Sequence, residues 1–136
     1  MRSKPTAKRA PAKAARSKVL LLDTLPTFVR AMRRRGKRVV TANGCFDIVH
    51  IGHVRYLEAA KRYGDILIVG VNSDKSVRMN KGHSRPVVPE RERVEIIAAF
   101  ECVDATFLFD DAAPDRWLDI VRPDVHVKGA DWRGKK

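Results

Sequence analysis

Apolar positions near the start of the chain fall into a helical spacing. Leu25, Phe28, Val29 and Met32 recur at intervals of three and four between Asp23–Thr24 and Gly36, which predicts an amphipathic helix. Arg33, Arg34 and Arg35 in its last turn suit the negative end of the helix dipole. The period then changes. Residues 38–42 form a short β-branched run, read as a buried strand. Residues 51–63 return to helical spacing through Val54, Leu57, Ala59 and Ala60, and Gly64 supplies the stop. Residues 66–71 are continuously hydrophobic, as in a strand covered on both faces. A polar loop is expected over 80–88, after which Pro89 opens a helix carrying Val94, Ile97, Ala98 and Phe100. Ala105–Phe109 reads as a third strand, Pro114 opens a helix reaching Val121, and Val125–Val127 reads as a fourth strand. Strands alternating with helices predict an α/β fold, a Rossmann-like doubly wound parallel sheet with right-handed crossovers.

Composition narrows this picture. A chain of 136 residues has room for one domain, and 44% hydrophobic with 32% charged residues is an ordinary globular balance. No apolar run approaches the roughly 20 residues that cross a bilayer, and no apolar segment of a secretory signal follows the basic start. Cys45 and Cys102 lie 57 positions apart, with neither metal-site spacing nor a disulfide framework, so a reducing cytoplasm is expected. The net charge of +12 is unevenly placed: thirteen of the 28 basic residues and one of the 16 acids fall within the first 38 positions. The body that follows is neutral. Residues 1–18, rich in Lys, Arg, Ala and Pro, are expected to be a disordered basic arm, and 19–136 a single domain. The arm reads either as a solvated tail or as a weak tether to nucleic acid or an anionic surface.

Chemistry concentrates in Asn43-Gly44-Cys45-Phe46-Asp47-Ile48-Val49-His50-Ile51-Gly52-His53. This stretch joins the first strand to the helix after it, where open α/β sheets bind ligands. A helix N-terminus there offers N–H groups and partial positive charge to phosphate. His50 and His53 project the same way, and Gly52 leaves room between them for a triphosphate. Alone, H-x-G-H also admits a metal pair or simple helix caps. Following a buried strand and a G-C-F-D turn, it resembles the H-x-G-H nucleotidyltransferase superfamily of cytidylyltransferases and adenylyltransferases.

Further residues narrow the resemblance to one branch. They are the run Gly70 to Arg78 (G-V-N-S-D-K-S-V-R), Lys81-Gly82-His83-Ser84-Arg85-Pro86, Glu90 with Arg93, Cys102-Val103-Asp104, and the run Arg122 to Asp131 (R-P-D-V-H-V-K-G-A-D). Over about residues 37–132 the chain is similar to the D-glycero-β-D-manno-heptose 1-phosphate adenylyltransferases, which form the C-terminal domain of bifunctional heptose synthases. Those enzymes make ADP-heptose for lipopolysaccharide core assembly. The ending Gly129-Ala130-Asp131-Trp132-Arg133-Gly134-Lys135 instead resembles glycerol-3-phosphate cytidylyltransferase.

The resemblance implies a sheet order of 3-2-1-4 and a set of roles. His50 and His53 would contact the α- and β-phosphates, and Lys81, on the loop after the second strand, would reach phosphates as a third catalytic group. Gly44, Cys45, Phe46, Asp47 and Gly52 would surround the nucleotide, with Asp47 bracing the turn. Gly129, Asp131 and Trp132 would hold base or ribose, and Asp74 and Arg85 the acceptor. Simpler readings stand beside these: Arg93 and Asp104 as an ion pair or caps, Asn72 and Asp74 as a strand end and helix cap, Arg85 as a surface charge, Cys45 as an unreactive thiol. The family pattern continues with a further strand and a Ser-Thr-Thr motif absent from these 136 residues, so that strand is expected to be missing and activity reduced. The implied reaction is AMP transfer from ATP to a sugar 1-phosphate with release of pyrophosphate. Mg²⁺ would be bound mainly through the triphosphate, and no protein metal site is expected. CTP with glycerol 3-phosphate is the alternative pair of substrates, and a homodimer is a possible assembly. The rival of another class is a non-catalytic nucleotide- or nucleic-acid-binding protein working through the basic arm.

Overall fold

The computed structural model describes residues 14–129. In chain order it holds α1 (Leu25–Arg34), β1 (Val39–Gly44), α2 (Ile51–Lys61), β2 (Ile66–Asn72), α3 (Asp74–Lys81), α4 (Glu90–Ala98), β3 (Ala105–Phe109), α5 (Asp115–Val121) and β4 (Val125–Val127). Four parallel strands lie in the order β3-β2-β1-β4, as the family resemblance implies. In register, Val40 stands between Leu67 and Val125, and Gly70 stands beside Phe107.

Strand side chains alternate between two faces, and each face has its own helix layer. Val40, Ala42, Leu67, Val69 and Val71 pack with Leu57 and Ala60 of α2 and with Val94 and Ile97 of α4. Val39, Ile68, Phe107 and Phe109 pack instead with Leu25 and Val29 of α1 and with Trp117 and Val121 of α5. Burial of each large side chain contributes on the order of 1.5–3 kcal/mol, so both layers stabilise the sheet. Gly70 makes room in the second layer: a Cβ there would lie 3.0 Å from the Phe107 ring and 3.2 Å from Trp117.

Carboxylates pin the amino ends of the strands. Asp65 accepts the Arg38 N–H and Asp124 the Val39 N–H, while Asp104 accepts the Leu67 N–H and pairs with Lys61 at 2.6 Å. The Val39 N–H holds the Asp124 carboxyl below its ordinary value; burial opposes this, and Arg33 and Arg38 reinforce it.

Three boundaries differ from the sequence reading. Ala15–Lys18, placed in the arm, form a 3-10 turn from which Lys18 donates to the Phe100 carbonyl; Val19 then pairs with Thr106. Residues 1–13 lie outside the described residues. β1 runs two residues further than expected, to Gly44. A helix, α3, occupies positions whose polarity hides it: Ser73 caps its start through the Ser76 N–H, and the Asn72 side chain donates to the Ser76 hydroxyl. Asn72 does end the strand, as the simpler reading has it, but the cap of the short helix is Ser73 rather than Asp74.

From β1 the chain passes to β2 and β3 on one side, then returns to place β4 on the other. The carboxyl ends of β1 and β4 therefore flank the point where strand order reverses, the position at which such sheets take ligands.

Candidate active site

A cavity of about 530 Å³ opens at that point. Its first wall is the turn from β1 into α2. Phe46 sits at φ 50°, a left-handed conformation that costs roughly 1–2 kcal/mol outside glycine. The conformation buries its ring under Gly44, where a Cβ would come within 3.0 Å of it, and edge-on to His53 with centroids 5.3 Å apart. His50 is the N-cap of α2. Its Nδ1 accepts the Gly52 N–H at 3.0 Å, and the His53 Nδ1 accepts the His50 N–H at 3.1 Å, so the two imidazoles form a reciprocal capping box. Each ring accepts through Nδ1, so each neutral imidazole carries its proton on Nε2. The rings lie 4.1 Å apart and both line the cavity. Two functions thus share one geometry, because the bonds that start the helix also set the tautomers.

The second wall is held by two charged side chains. The Asp47 carboxylate accepts the N–H groups of Val87 and Val88 and pairs with Arg85 at 2.6 Å. Burial pushes its carboxyl up, but those two N–H groups and the Arg85 guanidinium outweigh burial and leave it below the ordinary value. Asp47 therefore braces more than its own turn: it ties the 85–88 segment to the cavity. Beneath it the fully buried Arg93 gathers the site's loops. Its guanidinium donates to the carbonyls of Val88, Cys45 and Asn72 and pairs with Asp74 at 2.7 Å. Three segments, through four partners, converge on one cation. Tyr56 makes the third junction: its hydroxyl donates to the Val127 carbonyl at 2.9 Å and approaches the Asn43 carbonyl at 3.3 Å, joining α2 to the carboxyl ends of β4 and β1.

A model of the cytidylyltransferase-like family matches residues 41–134, a span containing the turn, the capping box and all three junctions. The chain belongs to that family of nucleotidyltransferases. It is 49% identical over 116 residues to the bifunctional protein HldE of Syntrophotalea carbinolica, covering 85% of this chain and 24% of the relative. Against the bifunctional protein HldE of Nitratiruptor sp. the identity is 50% over 114 residues, with coverage of 84% and 25%. The chain thus spans about a quarter of the length of these curated relatives. Among solved structures it resembles the lipopolysaccharide core biosynthesis protein from Thermoplasma volcanium, at 34% identity and a TM-score of 0.61, over 67% of this chain and 73% of that one.

The site of this family member brings together most residues singled out in the sequence. His50, His53, Lys81, Gly44, Cys45, Phe46, Asp47, Gly52, Arg85 and Gly129 all line the cavity. Lys81 does so from the last position of α3 rather than from a loop. Arg85 is an inward-tied cation rather than a loose surface charge. Asp74 is the exception: it is not a lining residue, and its carboxylate is taken by Arg93. Arg93 and Asp104 do not pair with each other, since Asp104 is held by Lys61. Asp131 and Trp132 lie outside the described residues, although Gly129 brings the chain after β4 to the cavity. Tyr56 was missed in the sequence, yet it stands three positions after His53 on one face of α2, a spacing that signals it. Arg93 as a hub carried no signal, because three of its partners are backbone carbonyls.

Proposed function

We propose that this chain is an adenylyltransferase that moves AMP from ATP to a sugar 1-phosphate, heptose 1-phosphate foremost, forming ADP-heptose and pyrophosphate. One observation carries the reading. Two imidazoles with protons assigned to Nε2 line a cavity shared with Lys81 and Arg85, while the one carboxylate lining it among the described residues, Asp47, is neutralised by Arg85. Such a cavity suits polyphosphate. A phosphate oxygen of the acceptor attacks the α-phosphorus in line, the bond to the bridging oxygen breaks, and pyrophosphate leaves with the electron pair. The Nε2–H groups donate to non-bridging oxygens as charge spreads over them, and Lys81 offsets the charge of the leaving group. No covalent nucleophile is required, so Cys45 serves as a wall. The preference for this acceptor rests on the identity with HldE proteins and on the solved lipopolysaccharide core biosynthesis protein.

Mg²⁺ is assigned to the substrate. Among the described residues no three His, Cys, Asp or Glu side chains gather as a metal site, and Asp47 is already engaged. The ion would enter on the triphosphate, keeping most of its waters. Pyrophosphate release measured with ATP and CTP, each against heptose 1-phosphate and glycerol 3-phosphate, tests the reading. Turnover confined to ATP with heptose 1-phosphate supports it. Turnover with CTP and glycerol 3-phosphate replaces it, and release with no pair removes it.

A further inference from the structure

The end of the molecule opposite the cavity has its own chemistry. The amino ends of β1, β2 and β4 meet there, and so do the last turns of α1, α2 and α5. Three segments deliver cations to it: Arg34 at the end of α1 with Arg35, Lys37 and Arg38 between α1 and β1, Arg62 after α2, and Arg122 after α5. They are brought side by side, since Arg33 reaches across to the Arg122 carbonyl and the Arg38 Nε donates to the Tyr63 carbonyl at 3.2 Å. A single cation per helix end satisfies the helix dipole, and this patch far exceeds that. Of the carboxylates at this end, Asp65 and Asp124 are committed to the N–H groups of Arg38 and Val39, Asp124 also pairs with Arg33, and Asp104 is taken by the Leu67 N–H and Lys61, which leaves Asp119 on the last turn of α5 facing solvent. Arg34, Arg35, Lys37, Arg38, Arg62 and Arg122 have no ion-pair partner among the described residues.

We propose that this patch is a binding surface for single-stranded nucleic acid, separate from the nucleotidyltransferase cavity. Two features select that partner over other polyanions. All but one of the six unpaired cations are arginines, whose planar forks bind phosphate oxygens in pairs. Tyr63, 58% exposed, stands among them and offers a face for base stacking. The more exposed aliphatics Ile48, Ile51 and Val87 stand at the cavity end, and only Ile96 and Ile120, each 42% exposed, lie in the last turns of α4 and α5, fewer than a lipid surface would call for. The dense charge draws the strand electrostatically, and the aromatic face gives the base contact that a duplex hides.

The test uses the full chain and a fluorescein-labelled 12-nucleotide RNA of mixed sequence, followed by anisotropy. Native protein is expected to bind with Kd on the order of 1–100 µM at moderate salt. Arg34→Glu with Arg35→Glu should weaken binding tenfold or more and flatten the log–log salt slope by about 1.4, two contacts at roughly 0.7 each. Tyr63→Ala should cost roughly fivefold or more, and Tyr63→Phe should restore the loss. Unchanged thermal midpoints would show that these exposed substitutions leave the fold intact. Saturating ATP should not displace the RNA, because the sites lie at opposite ends. Four results overturn the proposal: native-like binding by the Arg34/Arg35 variant, loss only when Lys4, Lys8, Arg9 and Lys13 are changed to Gln, displacement by ATP, or equal affinity for phosphatidylglycerol vesicles with Tyr63→Ala silent. The last would reassign the patch to a membrane surface.

Discussion

Replacing Gly52 by Ala should separate catalysis from stability. A Cβ at residue 52 would lie 2.7 Å from the His50 Cε1, a distance Cβ atoms essentially never show, and 3.0 Å from its Nδ1, which is also tight. The clash is with a side chain that can swing away, so the ring moves and the backbone stays. Moving it breaks the bond from the Gly52 N–H to Nδ1. The lost cap costs about 1 kcal/mol, while Ala in place of Gly in a helix contributes up to about 1 kcal/mol. The two nearly cancel, and the thermal midpoint should move by no more than about 3–4 °C. Turnover has no such compensation. Displacing one Nε2–H donor from the developing charge should lower it by about 10²–10³, or roughly 2.7–4 kcal/mol, with ATP affinity changing less because the contact strengthens in the transition state. His50→Ala is the comparator: a similar loss of turnover, but with the cap loss uncompensated and a lower midpoint. Pyrophosphate release, thermal unfolding and ATP titration together read all three quantities. A Gly52→Ala protein that turns over within threefold of native would refute the assignment of His50, and one that fails to fold would refute the claim that the ring yields.

Three other expectations follow from the junctions. Asp47→Asn should free the 85–88 segment, seen as faster hydrogen exchange there; because the native carboxyl is held below its ordinary value of 3.8, its contribution to stability is whole above about pH 4 and is lost as pH falls through the lowered value, so the midpoints of native and variant should converge only under strong acid. Convergence already at pH 6 would contradict the latch. Arg93→Leu should cost about 3–5 kcal/mol by leaving Asp74 and three carbonyls without their donor, and a midpoint lowered by less than about 2 °C would show that the hub is dispensable. Tyr56→Phe should cost about 1 kcal/mol of stability and raise the nucleotide KM several-fold while changing kcat less; an unaltered KM would confine Tyr56 to packing.

What the sequence discloses is whatever rests on apolar periodicity. β3 and β4 have the bounds expected of them, because β-branched and aromatic runs closed by polar or proline-bearing turns admit one reading. α3 left only the hint of a capped helix after Asn72, because only Ser76 and Val77 face inward and its anchors are polar, namely the Ser73 cap and the Asn72–Ser76 bond. On α4 the buried positions include Arg93 beside Val94 and Ile97. Periodicity alone assigns a charged residue at such a place to solvent, whereas here four hydrogen-bonding partners make its burial tolerable.

The site follows the same division. H-x-G-H, Lys81 and Gly129 were legible as candidates because the motif and residue types mark them wherever the backbone places them, and all line the cavity. The roles of Asp47 and Arg93 were not, since both act on backbone groups far along the chain, and such groups leave no trace in residue type. Asp47 reaches Val87 and Val88, forty positions away, and Arg93 reaches back to Cys45 across forty-eight. These two side chains tie the segments flanking Lys81, through Asp74 before it and Arg85 to Val88 after it, to the cavity that also holds the imidazoles. Lys81 and Arg85, the groups proposed to handle phosphate, sit on α3 and the segment after it, where only Ser76 and Val77 of the helix are buried, so their position rests on the Asp47–Arg85 and Arg93–Asp74 ion pairs and on polar bonds more than on apolar packing. The catalytic arrangement should therefore fail before the sheet does: under mild destabilisation, loss of turnover should precede loss of β-structure, and the Asp47 and Arg93 variants should widen that gap while substitutions in the α1–α5 layer should leave it unchanged.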